Sequence, residues 1–554
     1  MTRDRRMLRI GWVIIMGLVA LAYLQGMHAP FVYDDRIEVV GNATIRDLGS
    51  LRAVLEYNVS RVLLILTYAW NFRSFALDPF GYHVTNLVIH GLTVGVGIAF
   101  AARMGRLGGH ERPLWVAILV GAVWAVHPMS SEGVIYITGR SESLCALFVF
   151  GALAVWAEAL LREREHAGVA RSMRMLAVVV TLFSMGTKEV AIMTPFALLA
   201  MEYLFRSDEN RVRWAWYIPF LAIVALGVTG RALYAETFIP SEVERPLFTQ
   251  LTTQAEVWLR YLALWVLPAN QTLYHHIPDV SPASVRGGLA WSGCVALAYG
   301  VFRWGRSKPL SGWALLCAAL FLIPSSSVVA LKESMAEHRA YATGFYLFLA
   351  IAWSVPASWY RRSVTLLGFL VPFLVVLTVG RTSVWSSEVR LWEEAIELSP
   401  DLAEAWYGLG DAHRFLGEQK EAVAAYEQAV SLDEAHLDSW NNMGIAKAEM
   451  GDHLGAKRAW QSALKVRRTY CKAHANLAFL AYQRGAVEEA IVEFRTTLVY
   501  CPENLIAHYG LGTVYADQGR DPKKAVWHFE TLLEIDPDFD RAGEIRERLL
   551  ELTW

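Results

Sequence analysis

The chain is poor in charge. Of its 554 residues only 19% are Asp, Glu, Lys or Arg, whereas 55% are hydrophobic. An ordinary soluble chain carries about 25% charged residues, and the mean hydropathy here is +0.30. A polytopic membrane protein fits this composition. Neither sign of charge is in excess: 51 Lys plus Arg stand against 53 Asp plus Glu, a net charge of -2. Such a balance gives no reason to expect nucleic acid as a partner. Cysteine is scarce as well. Cys145, Cys294 and Cys317 fall in apolar runs and read as small buried hydrophobes. Cys471 and Cys501 could pair, but spacing does not show it, and no disulfide framework is evident. The His-x-x-x-His spacing of a metal site is also missing. No metal is therefore assigned and no cofactor is firmly implied, although the His and Glu residues described below would suit a divalent metal.

The charge that is present is segregated. Residues 1–380 hold long apolar runs, and 385–554 are rich in charged residues. This predicts a membrane domain over 1–384 and a soluble domain over 385–554. The apolar runs give about eleven spans: Leu8–Met27, Tyr82–Met104, Leu114–Val126, Ser143–Leu161, Met175–Met185, Val190–Phe205, Trp214–Leu233, Leu289–Phe302, Trp313–Ile323, Tyr341–Trp359 and Leu366–Gly380. Arg61–Ala76 and Val257–Leu267 read as interfacial stretches. Basic turns alternate with the spans. Those at 3–9, 103–112, 162–174, 206–213, 303–308 and 361–362 all fall on one side, which the positive-inside rule makes cytoplasmic.

The opposite side then holds Asp34-Asp35, residues 127–140, Lys188-Glu189, 234–285, 332–339 and the soluble domain. Two adjacent carboxylates beside a bilayer are candidates for catalysis, the plain alternative being a solvated turn. The same face gathers Arg140, Lys188, Lys332 and Arg339 with Glu132, Glu189, Glu333 and Glu337, and also His127, His275, His276 and His338. Singly, each reads as an anchor or an ion pair. Together they describe a polar cavity at a membrane surface, and its cations suit a phosphate at headgroup level.

The soluble half repeats with a period of 34. Gly410, Gly444, Ala478 and Gly512 are equivalent, as are Gly417, Gly451, Gly485 and Gly519. Ala422, Ala456 and Ala490 precede Tyr426, Trp460 and Phe494; in the fourth repeat Ala525 and Phe529 arrive one residue late, which places an insertion in 520–523. This is the tetratricopeptide (TPR) pattern of paired helices. It predicts a half repeat over 385–402, four repeats over 403–538 and a capping helix over 539–554. Asn442 and Asn476 are equivalent on successive first helices, and they are candidates for contact with a peptide backbone.

The ordered series of motifs resembles a known family. Phe31-Val32-Tyr33-Asp34-Asp35 after the first span resembles the first outer loop of GT-C glycosyltransferases. Residues 77–87 with His90, His127-Pro128 to Glu132, Gly139-Arg140, Lys188-Glu189 and Ala336-Glu337-His338-Arg339 with Tyr341 resemble the transmembrane TPR-containing O-mannosyltransferases and their bacterial relatives. His338 and Ala340 depart from the family's Glu-Arg-Tyr-Leu-Tyr, and the repeat array is shorter than in the animal relatives. The expected fold is an all-α GT-C membrane domain followed by an α-solenoid.

The resemblance implies transfer of a sugar, mannose or another hexose, from a polyprenyl-phosphate carrier to an acceptor hydroxyl, protein Ser or Thr, outside the cytoplasm. It assigns the base to Asp34 or Asp35 and the phosphate to Arg140, Lys188 and Arg339. Glu132, Glu189, Glu337 and His127 would orient these cations or the sugar. The partners implied are the lipid-linked sugar, an acceptor protein at the repeats, and membrane lipid. The alternatives are a membrane-anchored scaffold and a flippase for a lipid-linked sugar. Compactness favours a bacterial inner membrane with the repeats in the periplasm. In a eukaryote the repeats would be lumenal, and the sequons at Asn42, Asn58 and Asn270 would then count.

Overall fold

The computed structural model describes residues 3–46, 51–163, 165–206, 214–222, 224–225, 245–517, 521–537 and 539–553. Nine of the twenty residues of the expected span Trp214–Leu233, 223 and 226–233, lie outside them. So do Arg164, Arg211, Arg213, residues 234–244, Gly519 and Arg520. The regular secondary structure among the described residues is all helical, with no β-strand among them. The chain divides into two units, Met1–Leu391 and Trp392–Trp554.

In the first unit six helices are long and apolar enough to cross a membrane: Arg6–His28, Pro79–Leu107, Arg140–Arg162, Ala167–Met185, Val285–Ser307 and Arg362–Trp385. A seventh apolar stretch is a bent pair of helices. Pro113–Ala125 and Pro128–Ile135 meet at a 70° bend. The bend falls at His127-Pro128, where proline cannot continue the preceding helix. The His127 ring accepts the amide of Met129 at 3.2 Å and so caps the new turn.

Seven of the eleven expected spans coincide with these stretches. Three others fall on shorter helices, Thr194–Phe205, Pro309–Leu320 and Tyr341–Ser354, of 12, 12 and 14 residues. At 1.5 Å per residue these reach roughly 20 Å, short of a hydrocarbon core of about 30 Å. The stretch Val257–Leu267 is the second half of a longer helix, Leu247–Val266.

Pro79–Leu107 and Arg140–Arg162 form the interior of this unit, more than half buried across their apolar windows. Val285–Ser307 and Arg362–Trp385 are mostly exposed on the outside, as lipid-facing helices are. Close approach is built in: a Cβ added to Gly121 would lie 2.5 Å from Ile98. Arg36, next to the acidic pair, forms an ion pair with Glu388.

The second unit stacks helical hairpins. Ala403–Phe415 pairs with Gln419–Leu432, Leu437–Glu449 with His453–Val466, Cys471–Gln483 with Val487–Tyr500, and Leu505–Asp517 with Pro522–Ile535. Ala542–Thr553 follows the last pair. The repeat residues explain the geometry. A Cβ at Gly444 would stand 2.3 Å from Trp460, so the small residue is what lets the aromatic ring of the second helix lie against the first. The turns at Gly417, Gly451 and Gly485 have φ of 79°, 81° and 75°, the left-handed C-cap that favours glycine. Cys471 and Cys501 form a disulfide that joins the two ends of the third hairpin.

Candidate functional site

The acidic pair sits in a short loop after the first span, and its two members have opposite environments. Asp35 is 1% exposed. Its Oδ1 accepts the amide of Thr138 at 2.8 Å and its Oδ2 accepts that of Val32 at 3.2 Å. Burial raises its pKa to about 7, against the opposing pull of these two amides. The carboxylate is thus a strut between the first loop and the loop after the bent helix pair.

Asp34 is open to solvent, although many protein atoms crowd around it. That crowding raises its pKa, while His338, a hydrogen bond from Tyr136, Arg61 and Lys332 pull it down. Its main-chain amide donates to the Tyr136 hydroxyl at 3.1 Å. The preceding residue, Tyr33, has φ 48°, a left-handed conformation that a bulky residue rarely adopts. Such strain is kept where the surroundings over-determine it. Here the Tyr33 hydroxyl bonds to Glu333, whose own carboxyl burial raises to about 7.

Around Asp34 the polar loops converge. Arg61 pairs with Glu189 at 3.2 Å, and Ser60 donates to the same carboxylate at 2.9 Å. Although burial opposes it, Arg61 as the leading favourable charge holds Glu189 down to about 2. Lys188 donates to Glu142 at 2.7 Å and to Ser141 at 3.3 Å. Arg339 donates to the carbonyl of Glu333 at 2.8 Å. Nδ1 of His338 lies 2.6 Å from Oε1 of Glu132, whose Oε2 accepts the main-chain amide of His338 at 3.2 Å. Glu337 is fully enclosed: it accepts Nε2 of Gln271 at 2.5 Å and the amide of Thr272 at 3.0 Å, and faces His275 at 2.9 Å.

Two of the residues expected at the site stand elsewhere. Arg140 is 0% exposed. It donates to Asn86 at 2.6 Å, Thr67 at 3.0 Å and the carbonyl of Tyr82 at 3.1 Å, with its guanidinium over the Tyr68 ring. It braces the helices around it and presents no surface to a ligand. His127 is buried against Trp265, 4.7 Å between ring centres, and caps its turn. Tyr136, Glu142 and Arg61 are neighbours that the sequence did not single out as site residues. Tyr136 lies in the short polar link between two apolar runs, and Glu142 is one residue before the expected start of a span. Among the described residues no cluster of three or more His, Cys, Asp or Glu side chains is arranged to hold a metal ion.

In the second unit a ladder of side chains joins consecutive repeats. Asn442 donates to Asp411 at 2.8 Å, Asn441 donates to Asn442 at 3.0 Å, and Asn476 donates to Asn441 at 2.8 Å.

These features define a polytopic membrane protein that carries a TPR solenoid. The Tetratricopeptide repeat model matches residues 403–436 and the TPR repeat model matches 480–519. The chain resembles the TPR-bearing O-mannosyltransferases. It is 22% identical to "Protein O-mannosyl-transferase F38B6.6" of Caenorhabditis elegans over 75% of this chain and 61% of that protein. It is 22% identical to "Protein O-mannosyl-transferase TMTC3" of Homo sapiens over 72% of this chain and 49% of that protein. With human "Protein O-mannosyl-transferase TMTC4" it shares 31% identity over 24% of this chain and 21% of that protein. The chain thus spans about half to three-fifths of the length of the first two. Of solved structures, MamA aligns with 28% of this chain and 89% of its own at 23% identity, with a TM-score of 0.25.

Proposed function

We propose that the chain is a GT-C-type glycosyltransferase that moves a sugar from a polyprenyl-phosphate carrier to the hydroxyl of a protein Ser or Thr on the extracytoplasmic side of a membrane. The observation that carries this reading is the solvent-open carboxylate of Asp34 with Arg61 and Lys332 acting on it in the helical membrane unit. The names of the similar proteins agree with it. In the reaction the acceptor oxygen attacks the anomeric carbon, and the bond from that carbon to the carrier phosphate oxygen breaks. Asp34 takes the hydroxyl proton, because it alone of the pair is open to solvent, whereas Asp35 is buried on two main-chain amides. Asp35 holds the loop. The departing phosphate gains charge, and the cations proposed to meet it are Arg61 and Lys332, which act on Asp34, and Lys188 and Arg339, which act on His338. Arg140 braces the helices around it. Glu132, Glu189 and Glu337 hold His338, Arg61 and His275 in place.

The repeats bind the acceptor protein, and Asn442 and Asn476, expected to meet its backbone, are joined instead to Asp411 and Asn441 and line up the repeats that do so. The Cys471–Cys501 disulfide supports an oxidising compartment for this unit, such as the periplasm of a bacterium or the lumen of the endoplasmic reticulum.

The test is transfer in detergent, with a panel of polyprenyl-phosphate sugars and Ser/Thr peptides. Wild type transfers sugar. Asp34→Asn, folded and with an unchanged melting temperature, loses at least about 100-fold in rate. Asp35→Asn instead lowers the melting temperature, because two amides lose a charged acceptor. Transfer by folded Asp34→Asn at the wild-type rate rejects the assignment.

A further inference from the structure

His338 is a residue at which the chain departs from the family pattern it resembles, and the structure gives it a distinctive setting. Glu132 grips it twice, through the ring Nδ1 at 2.6 Å and through the main-chain amide at 3.2 Å. The carboxylate therefore fixes both the backbone and the plane of the ring. The other ring nitrogen, Nε2, has no hydrogen-bond partner among the described residues and is not sealed from solvent. The side chain as a whole is 16% exposed.

The ring also lies near Asp34: the Tyr136 ring, whose hydroxyl accepts the Asp34 amide at 3.1 Å, is 6.1 Å from the imidazole. A ring this firmly held, with one nitrogen left over, is a prepared hydrogen-bonding point rather than packing.

We propose that Nε2 of His338 binds one hydroxyl of the donor sugar and thereby selects which hexose the site accepts, with Glu132 as the positioning residue that holds the ring. The chemical class follows from the nitrogen. Glu132 occupies Nδ1, so Nε2 is the nitrogen left for a ligand. A hydroxyl, both donor and acceptor, matches Nε2 in either tautomer, whereas a carbonyl or an ammonium matches one only. Burial first, and then Lys188 and Arg339, keep the ring out of its charged form, at a pKa of about 3. A neutral imidazole leaves the phosphate to the cations and is free for the uncharged part of the donor.

This inference rests on the loops around Asp34 being the sugar-transfer site. It is tested with wild type, His338→Ala and Glu132→Gln and a series of polyprenyl-phosphate donors, each lacking a different ring hydroxyl. Wild type should use one deoxy donor at least about tenfold less well than the parent. His338→Ala should use the parent and that one donor equally, while still discriminating among the others as wild type does. Glu132→Gln should give a smaller loss of discrimination, since Gln can still accept from the ring. If His338→Ala keeps the full wild-type pattern, or flattens discrimination against every donor alike, the proposal fails and the transfer reading stands. If wild type transfers from no donor, it is the transfer reading that fails.

Discussion

The Tyr136 hydroxyl accepts the main-chain amide of Asp34 at 3.1 Å and also supports that residue's carboxylate. One side chain thus fixes both the place and the acidity of the group proposed as base.

The sign of a pH effect follows. The base works ionised, and crowding holds the Asp34 pKa above the ordinary aspartate value, so activity falls on the acid side at a pH above the usual range. Tyr136 opposes that rise. Tyr136→Phe should move the acid limb of kcat/KM to higher pH while the alkaline limb stays. A limb that stays or moves down would show that Asp34 does not control it.

Arg140 offers a test of brace against ligand contact. Lysine can replace its charge but not the fork that reaches Asn86, Thr67 and Tyr82 together. Arg140→Lys should cost about 2 kcal/mol or more of stability, read as a lower melting temperature in detergent, with the KM for donor nearly unchanged in the folded protein. An unchanged melting temperature with a raised donor KM would place Arg140 on the phosphate, as the family resemblance implies.

The solenoid makes a third prediction. Gly444→Ala drives a methyl against Trp460 and should destabilise the repeats by about 1 to 3 kcal/mol, measured by denaturant unfolding. Trp460→Phe in the same chain should recover much of the loss. The third repeat already carries that combination in Ala478 and Phe494. Equal stability of Gly444→Ala and wild type would mean that the ring moves aside freely.

The repeats were legible because their information is local. A small residue and an aromatic sixteen positions apart fix one hairpin, and the 34-residue period copies it. The order of spans was legible from composition for a similar reason. Their lengths were not, since counting apolar residues does not reveal where a helix stops at Lys308-Pro309 or turns at His127-Pro128. The candidate site was readable only as a set of residue types. Asp34 and Asp35 are alike in sequence, and what separates them is the amide of Thr138, 103 residues further on. Arg140 looked like a free cation until Asn86 and Tyr82 were seen to enclose it. Lys188 found its partner in Glu142, which the sequence hid at the edge of an apolar run.

The staple across the third hairpin has a consequence for fragmentation. A protease that cuts once anywhere between Cys471 and Cys501 opens the polypeptide but releases nothing, because the two pieces stay covalently joined until a reductant reaches the sulfurs. A cut in the flanking hairpins separates the chain at once. The same solenoid would therefore yield one fragment pattern on a reducing gel and a simpler one on a non-reducing gel, with the difference confined to a single repeat.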